Sequence, residues 1–155
     1  MQEIIKLEKP TLVLDIFCGI GGFALFASQF TKKVVGVEVS ESAIKSAKLA
    51  AQDNGFKNIQ FLPKDAEEFL TTYSGNRPDM LICNPPRRGL SNQIIEKINN
   101  LAPSSLIYSS CNPETLANDI QLLKENYQVR SLAPFDMFPL TNHLEVLAHL
   151  RLKEL

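Results

Sequence analysis

Cys111 follows the apolar run Leu106-Ile107-Tyr108, which reads as a buried strand. Asn112 after it is a good N-cap, and Pro113 suits the first position of a helix. Cys111 therefore falls where a strand ends and a helix begins, beside the positive end of that helix. Such a place favours the thiolate, the nucleophilic form of cysteine. A second segment, Asn84-Pro85-Pro86-Arg87, follows another apolar run. Asn-Pro-Pro also occurs in enzymes that methylate exocyclic amines, usually with an aromatic residue next. Here Arg87 follows. An amine has its own lone pair and needs no cysteine. Carbon 5 of a pyrimidine becomes nucleophilic only after something adds at carbon 6, which a thiolate can do and undo. Cys111 with Asn84-Pro85-Pro86-Arg87 thus points to methylation at carbon.

Upstream, Gly19-Ile20-Gly21-Gly22-Phe23-Ala24 matches G-x-G-x-x-G/A, and Glu38 lies seventeen residues past Gly21. The pattern alone fits NAD and S-adenosylmethionine equally, since the ribose hydroxyls of either suit an acidic acceptor. Asp15, four residues before the turn, separates them. A carboxylate there repels a pyrophosphate and attracts an ammonium and a sulfonium. S-adenosylmethionine is the expected cofactor, with Asp15, Phe17, Gly19, Gly21, Glu38, Asp65 and Asn84 as its binding residues. Phe17 fits packing on the donor or filling the core. Asp65 fits the adenine amino group or a helix N-cap.

These residues need elements to hold them. Short apolar runs at residues 11–15, 34–38, 59–62, 79–83 and 106–108 alternate with helical patterns. Phe23, Phe26, Ala27 and Phe30 form one such helix face; Ile44, Ala47 and Ala51 another; then Ala66, Phe69, Leu70 and Tyr73; Ile94, Ile95, Ile98 and Leu101; and Leu116, Ile120 and Leu123. The alternation predicts a doubly wound, mostly parallel sheet covered on both faces. Residues 128–132 form a weaker strand. Pro134 and Pro139 bracket an expected loop, and residues 144–150 alternate as a terminal, antiparallel strand. Ligands bind such sheets at the carboxyl ends of the strands. Asp15, Glu38, Asp65, Asn84 and Cys111 all fall at such ends.

The chain has 155 residues, 45% hydrophobic and 21% charged, which predicts one globular domain over residues 1–155. Its net charge of −1 excludes a strong overall nucleic-acid footprint, so RNA contact must be local or lie on a missing module, and these residues alone are expected to bind RNA weakly. Cys18, Cys83 and Cys111 form no C-x-x-C pair, against a disulfide framework or zinc site and for a reducing, cytoplasmic setting. Cys18 and Cys83 read as packing residues, His143 and His149 as exposed strand residues. The N-terminus has no signal-peptide character, and no apolar run reaches membrane-spanning length.

Asn84-Pro-Pro-Arg-Arg-Gly and Ile107-Tyr-Ser-Ser-Cys-Asn-Pro-Glu-Thr115 together resemble the signatures of the RNA uracil-5-methyltransferase family. Asp15-Ile-Phe-Cys-Gly-Ile-Gly-Gly-Phe and Asp136-Met-Phe-Pro…His143-Leu-Glu145 are similar to it as well. The likeness is greatest to the bacterial 23S rRNA branch and runs nearly end to end. It implies a Rossmann-like S-adenosylmethionine-dependent methyltransferase fold and methyl transfer to C5 of a uridine. It implies Cys111 as nucleophile, Glu145 as base, and donor contacts at Phe17, Glu38 and Asn84. Pro85, Pro86 and Arg87 are the expected substrate contacts, with Arg87 and Arg88 suited to phosphates. The implied partner is RNA, namely 23S rRNA, met by a monomer away from membranes. Family members carry upstream RNA-binding portions and, in several branches, a cysteine-bound iron–sulfur cluster. Residues 1–155 are expected to be the catalytic domain without them, and without a metal. Two rival readings stay open: an amino methyltransferase using Asn84-Pro-Pro, and a donor-binding fragment without activity of its own.

Overall fold

The computed structural model describes residues 1–137, 140 and 144–154. Seven strands form one sheet in the order β3-β2-β1-β4-β5-β7-β6. They are β1 (Leu12–Ile16), β2 (Lys33–Glu38), β3 (Ile59–Pro63), β4 (Met80–Cys83), β5 (Ser105–Ser110), β6 (Tyr127–Phe135) and β7 (Glu145–Leu152). The first five pair in parallel. β7 runs antiparallel between β5 and β6. This is the expected doubly wound, Rossmann-like α/β architecture with an antiparallel C-terminal strand.

Alternate residues of each strand feed two cores. Leu14, Leu81, Leu106 and Tyr108 face the helices α4 (Ala66–Thr72), α5 (Asn92–Leu101) and α6 (Pro113–Leu123). Val13, Met80, Ile82 and Ile107 face α1 (Gln2–Glu8), α2 (Gly22–Ser28) and α3 (Glu41–Asp53). Burial on both faces explains why these strands read as continuous apolar runs rather than alternating ones. The chain reverses its direction of growth between β1 and β4, which opens a cleft above their carboxyl ends. Among the described residues no helix is long and apolar enough to cross a membrane.

Three expectations need correction. The first is the N-terminal segment, which forms α1, an element the hydrophobic pattern does not announce. Its wholly buried Ile5 anchors it, a contribution of roughly 1.5–3 kcal/mol. Glu8 at its end pairs with Arg151 of β7 at 2.5 Å. Second, the loop expected from Pro134 begins later, because β6 continues to Phe135. β6 is the sheet edge, where a proline without an N–H is tolerated. Third, His149 is buried, not exposed. Its Nε2 lies 2.9 Å from Ser105 Oγ and 3.7 Å from Glu8 Oε1. Burial lowers the pKa of its imidazole, with Glu8 working the other way. His143 lies outside the described residues.

Candidate active site

The parallel strands bring the sequence candidates to one rim. Ile16 pairs with both Val37 and Cys83, and Cys83 pairs with Tyr108. Phe17, Glu38 and Asn84 therefore stand side by side, each one step past those partners. Ser110 pairs with Val146 in the antiparallel ladder. The next step along each strand reaches Cys111 on one side and Glu145 on the other. Opposed residues in such a ladder lie about 4.5–5.5 Å apart at Cα. Glu145 shares the rim because β7 runs backwards and starts where its neighbours end.

The glycine turn is built by close approach. Gly19 and Gly21 have φ of +54° and +85°, and a Cβ at Gly21 would sit 2.7 Å from the Phe61 ring. Gly21 is the N-cap of α2. Glu38 braces the turn: its carboxylate accepts from the Gly19 N–H at 3.2 Å and the Ser40 N–H at 2.9 Å. Phe17 enters the turn at φ +62°, a left-handed conformation costing roughly 1–2 kcal/mol for a residue with a Cβ. Asp15 is enclosed behind the turn, with 0% exposure. Neither of its oxygens reaches a partner in hydrogen-bond geometry. Burial pushes its carboxyl up to about 8, opposed by the Ala24 N–H from outside that geometry. In the ligand-free chain at neutral pH this carboxyl therefore keeps its proton.

The Asn84 segment is held against the helix after Cys111. The Arg87 carbonyl accepts from Asn112 Nδ2 at 3.1 Å and Thr115 Oγ1 at 3.2 Å. Buried Asp119 on α6 accepts from the Leu90 N–H at 2.9 Å and the Tyr108 hydroxyl at 2.5 Å. Gly89 leaves room for this, since a Cβ there would meet Asp119 Oδ2 at 2.7 Å. Asn112 caps α6 through the Glu114 N–H, with Pro113 at its start, as the sequence predicts. Asp65 takes the capping alternative, accepting from the Glu67 and Glu68 N–H groups through Oδ1.

Two cavities border this segment. One of about 510 Å³ is lined by Phe17, Asp65, Pro86 and Arg88. Phe17 also packs on the core, the second of its two expected roles. The other, of about 400 Å³, is lined by Asn84, Ser109, Glu145, Phe23, Leu147 and Met137. Pro85 is buried between them, while Arg87 and Arg88 are exposed. Cys111 is half-buried and is not part of either wall. Cys18 and Cys83 are buried, and desolvation raises both thiols. A further hollow of about 570 Å³ between α3 and β3 holds none of the candidates.

Several site residues escape sequence reasoning. Ser109 donates to Glu145 Oε1 at 2.5 Å, and nothing in the sequence marks that pairing. Asp119 reads as an ordinary surface helix residue. Val39, directly after Glu38, is 68% exposed, an apolar side chain on the surface beside the rim.

The family model described as tRNA (Uracil-5-)-methyltransferase matches residues 2–153. The chain is 45% identical over 139 residues to the 23S rRNA (uracil(747)-C(5))-methyltransferase RlmC of Vibrio vulnificus, covering 90% of this chain and 36% of that protein. It is 46% identical over 158 residues to RlmC of Actinobacillus succinogenes, covering 98% and 41%. The chain thus spans well under half the length of these curated relatives. Its backbone superposes with a TM-score of 0.83 on the Pyrococcus abyssi tRNA (uracil-54, C5)-methyltransferase in complex with S-adenosyl-L-homocysteine. That pair is 30% identical, over 96% of this chain and 36% of the other. The N-methyltransferase NodS of Bradyrhizobium japonicum shares the fold, with a TM-score of 0.79 at 17% identity over 99% of this chain and 84% of its own.

Proposed function

We propose a function from one premise: this chain belongs to the tRNA (uracil-5-)-methyltransferase family. The reading is methyl transfer from S-adenosyl-L-methionine to C5 of a uridine in RNA, with residues 1–155 as the catalytic domain. The target is 23S rRNA, the substrate in the names of the RlmC relatives. The setting is cytoplasmic, and the chain acts as a monomer.

The observation that carries this reading is the pairing of Ser110 with Val146 at the end of the β5–β7 ladder, after which Cys111 and Glu145 are the next residues on the two sides. The donor supplies an electrophilic methyl group. The glycine turn and the orphaned Asp15 carboxyl fit it: nothing lies within 4 Å of where a Cβ at Gly19 would sit, so the turn has room beside it, and the buried carboxyl suits a ligand carrying an ammonium. Glu38 faces the ribose hydroxyls, Val39 the adenine, and Phe17 and Asp65 the adenosine end. Asn84, Pro85 and Pro86 separate this side from the uracil side, and Arg87 contacts phosphate.

The target uridine leaves its stack and enters the rim between Cys111 and the smaller cavity that Asn84 and Glu145 line. Cys111 adds through sulfur to C6, which makes C5 a carbon nucleophile. After methylation Glu145 removes the C5 proton. The C–H electron pair re-forms the C5–C6 double bond, and the thiolate leaves.

RNA carrying 5-fluorouridine at the target tests this. Fluorine cannot leave as a proton does, so with donor present the adduct persists. Peptide mass spectrometry should locate it on Cys111, and Cys111→Ala should form none. Attachment at Cys18 or Cys83, or C5 methylation surviving Cys111→Ala, overturns the reading. Methyl transfer to an exocyclic amine that survives Cys111→Ala is what the rival, an amino methyltransferase using Asn84-Pro-Pro, predicts.

A further inference from the structure

Ser109 lies in β5 opposite Leu147 of β7 and is 3% exposed. Its hydroxyl donates to Glu145 Oε1 at 2.5 Å, and both side chains line the 400 Å³ cavity together with Asn84. An O–H···O⁻ bond this short belongs to the strong, charge-assisted class. A glutamate carboxylate at the start of a strand otherwise samples many rotamers. A serine fixed by a strand backbone offers a donor whose position the sheet register sets.

We propose that Ser109 is a positioning residue for proton removal at C5. It holds Oε1 of Glu145 so that Oε2 faces the reacting carbon. The proposal rests on the preceding reading, in which Glu145 is the base. The step it serves balances as follows. The C5–H bond breaks and an Oε2–H bond forms. The freed pair becomes the C5–C6 double bond, the S–C6 bond breaks, and Cys111 departs as thiolate. Ser109 keeps its own proton throughout. A carboxylate swung away from C5 leaves addition and methylation untouched and delays only this last step.

A tie that merely fastens β5 to β7 predicts something different, a loss of stability that affects all steps alike. Single-turnover assays separate the two. They use the longest natural chain containing this sequence, RNA with [5-³H]uridine at the target, and ¹⁴C-methyl donor. Tritium release reports C5–H cleavage, and acid-stable ¹⁴C reports methyl transfer. Ser109→Ala should slow tritium release roughly tenfold or more relative to methyl incorporation, the scale of one lost charged hydrogen bond. A covalent protein–RNA complex should accumulate, with KM for the donor within about twofold of wild type. Ser109→Thr keeps the hydroxyl and should restore the ratio. Ser109→Cys, nearly isosteric with a weak donor, should repeat the alanine result should alanine disturb the fold. In a Glu145→Gln background, Ser109→Ala should add no further delay. If tritium release and methyl incorporation fall together, or neither falls, the positioning role is refuted. If Glu145→Gln itself releases tritium at the wild-type rate, the base assignment fails instead, whatever Ser109 does.

Discussion

Replacing Asp15 by Asn should change how the stability of the ligand-free chain depends on pH. The carboxyl is fully buried, lacks a hydrogen-bond partner, and is pushed from an ordinary 3.8 up to about 8. Between those values the folded chain holds a proton that the unfolded chain has released. Stability is therefore greatest below about pH 4 and falls as pH rises toward 8, by at most about 1.4 kcal/mol per unit. From pH 5 to 7 the loss is about 2–3 kcal/mol, roughly 5–10 °C in Tm for a domain of this size. Asn keeps the shape and cannot ionise, so Asp15→Asn should remove this slope. Melting curves of both proteins in half-unit steps from pH 5 to 8, with urea titrations at pH 5 and 7, measure the difference. Other titrating groups such as His149 are common to both and cancel. Parallel profiles would show that Asp15 is already ionised or hydrated in the fold, and the burial reasoning would be wrong. Donor binding adds a second readout. Its positive charge should expel the proton, so calorimetry at pH 7 in buffers of unlike ionisation heat should show release of about one proton. Asp15→Asn should show none.

Glu38→Ala should weaken S-adenosylhomocysteine binding by about 1.5–3 kcal/mol, or roughly 10- to 150-fold, as one charged hydrogen bond is lost. Calorimetry with that ligand and with NAD checks it, and tighter binding of NAD would overturn the cofactor assignment. Asp119→Ala strips the acceptor from the buried Leu90 N–H and Tyr108 hydroxyl and should cost about 2–4 kcal/mol in urea unfolding. An unchanged midpoint would mean that Asp119 does not hold the Asn84 segment.

Much of this molecule is legible in its sequence because local and global signals agree. β1 to β5 read as apolar runs since each is buried on both faces, and Ser40, Ser91 and Asn112 cap the helices they precede. The rim of Glu38, Asn84 and Cys111 follows from strand polarity alone, whereas Asp15 lies inside β1, enclosed behind the turn. What escaped depends on partners remote in sequence. α1 spans seven residues without a side-chain cap and is held by Ile5 and by Arg151, 143 residues from Glu8. The alternation in β7 suggested one solvated face. Glu8 of α1 instead lies over that face, 3.7 Å from His149 Nε2, and His149 is covered. Period-two patterns do not tell which remote element will pack on a face. Ser109 was silent for a related reason: its partner is set by antiparallel register, not spacing.

That insertion also dictates an order of assembly. β6 joins the sheet through β7, and Glu145 is the first residue of β7. A chain emerging from its N-terminus can form the five parallel strands, cap α6 and seat Cys111 while β6 still has no edge to join. The later-made strand then slots between two earlier elements, closing the sheet and bringing Glu145 to the rim in one event. Deleting the residues from Glu145 onward should therefore cost far more than one edge strand, because β6 loses its only route into the sheet described here.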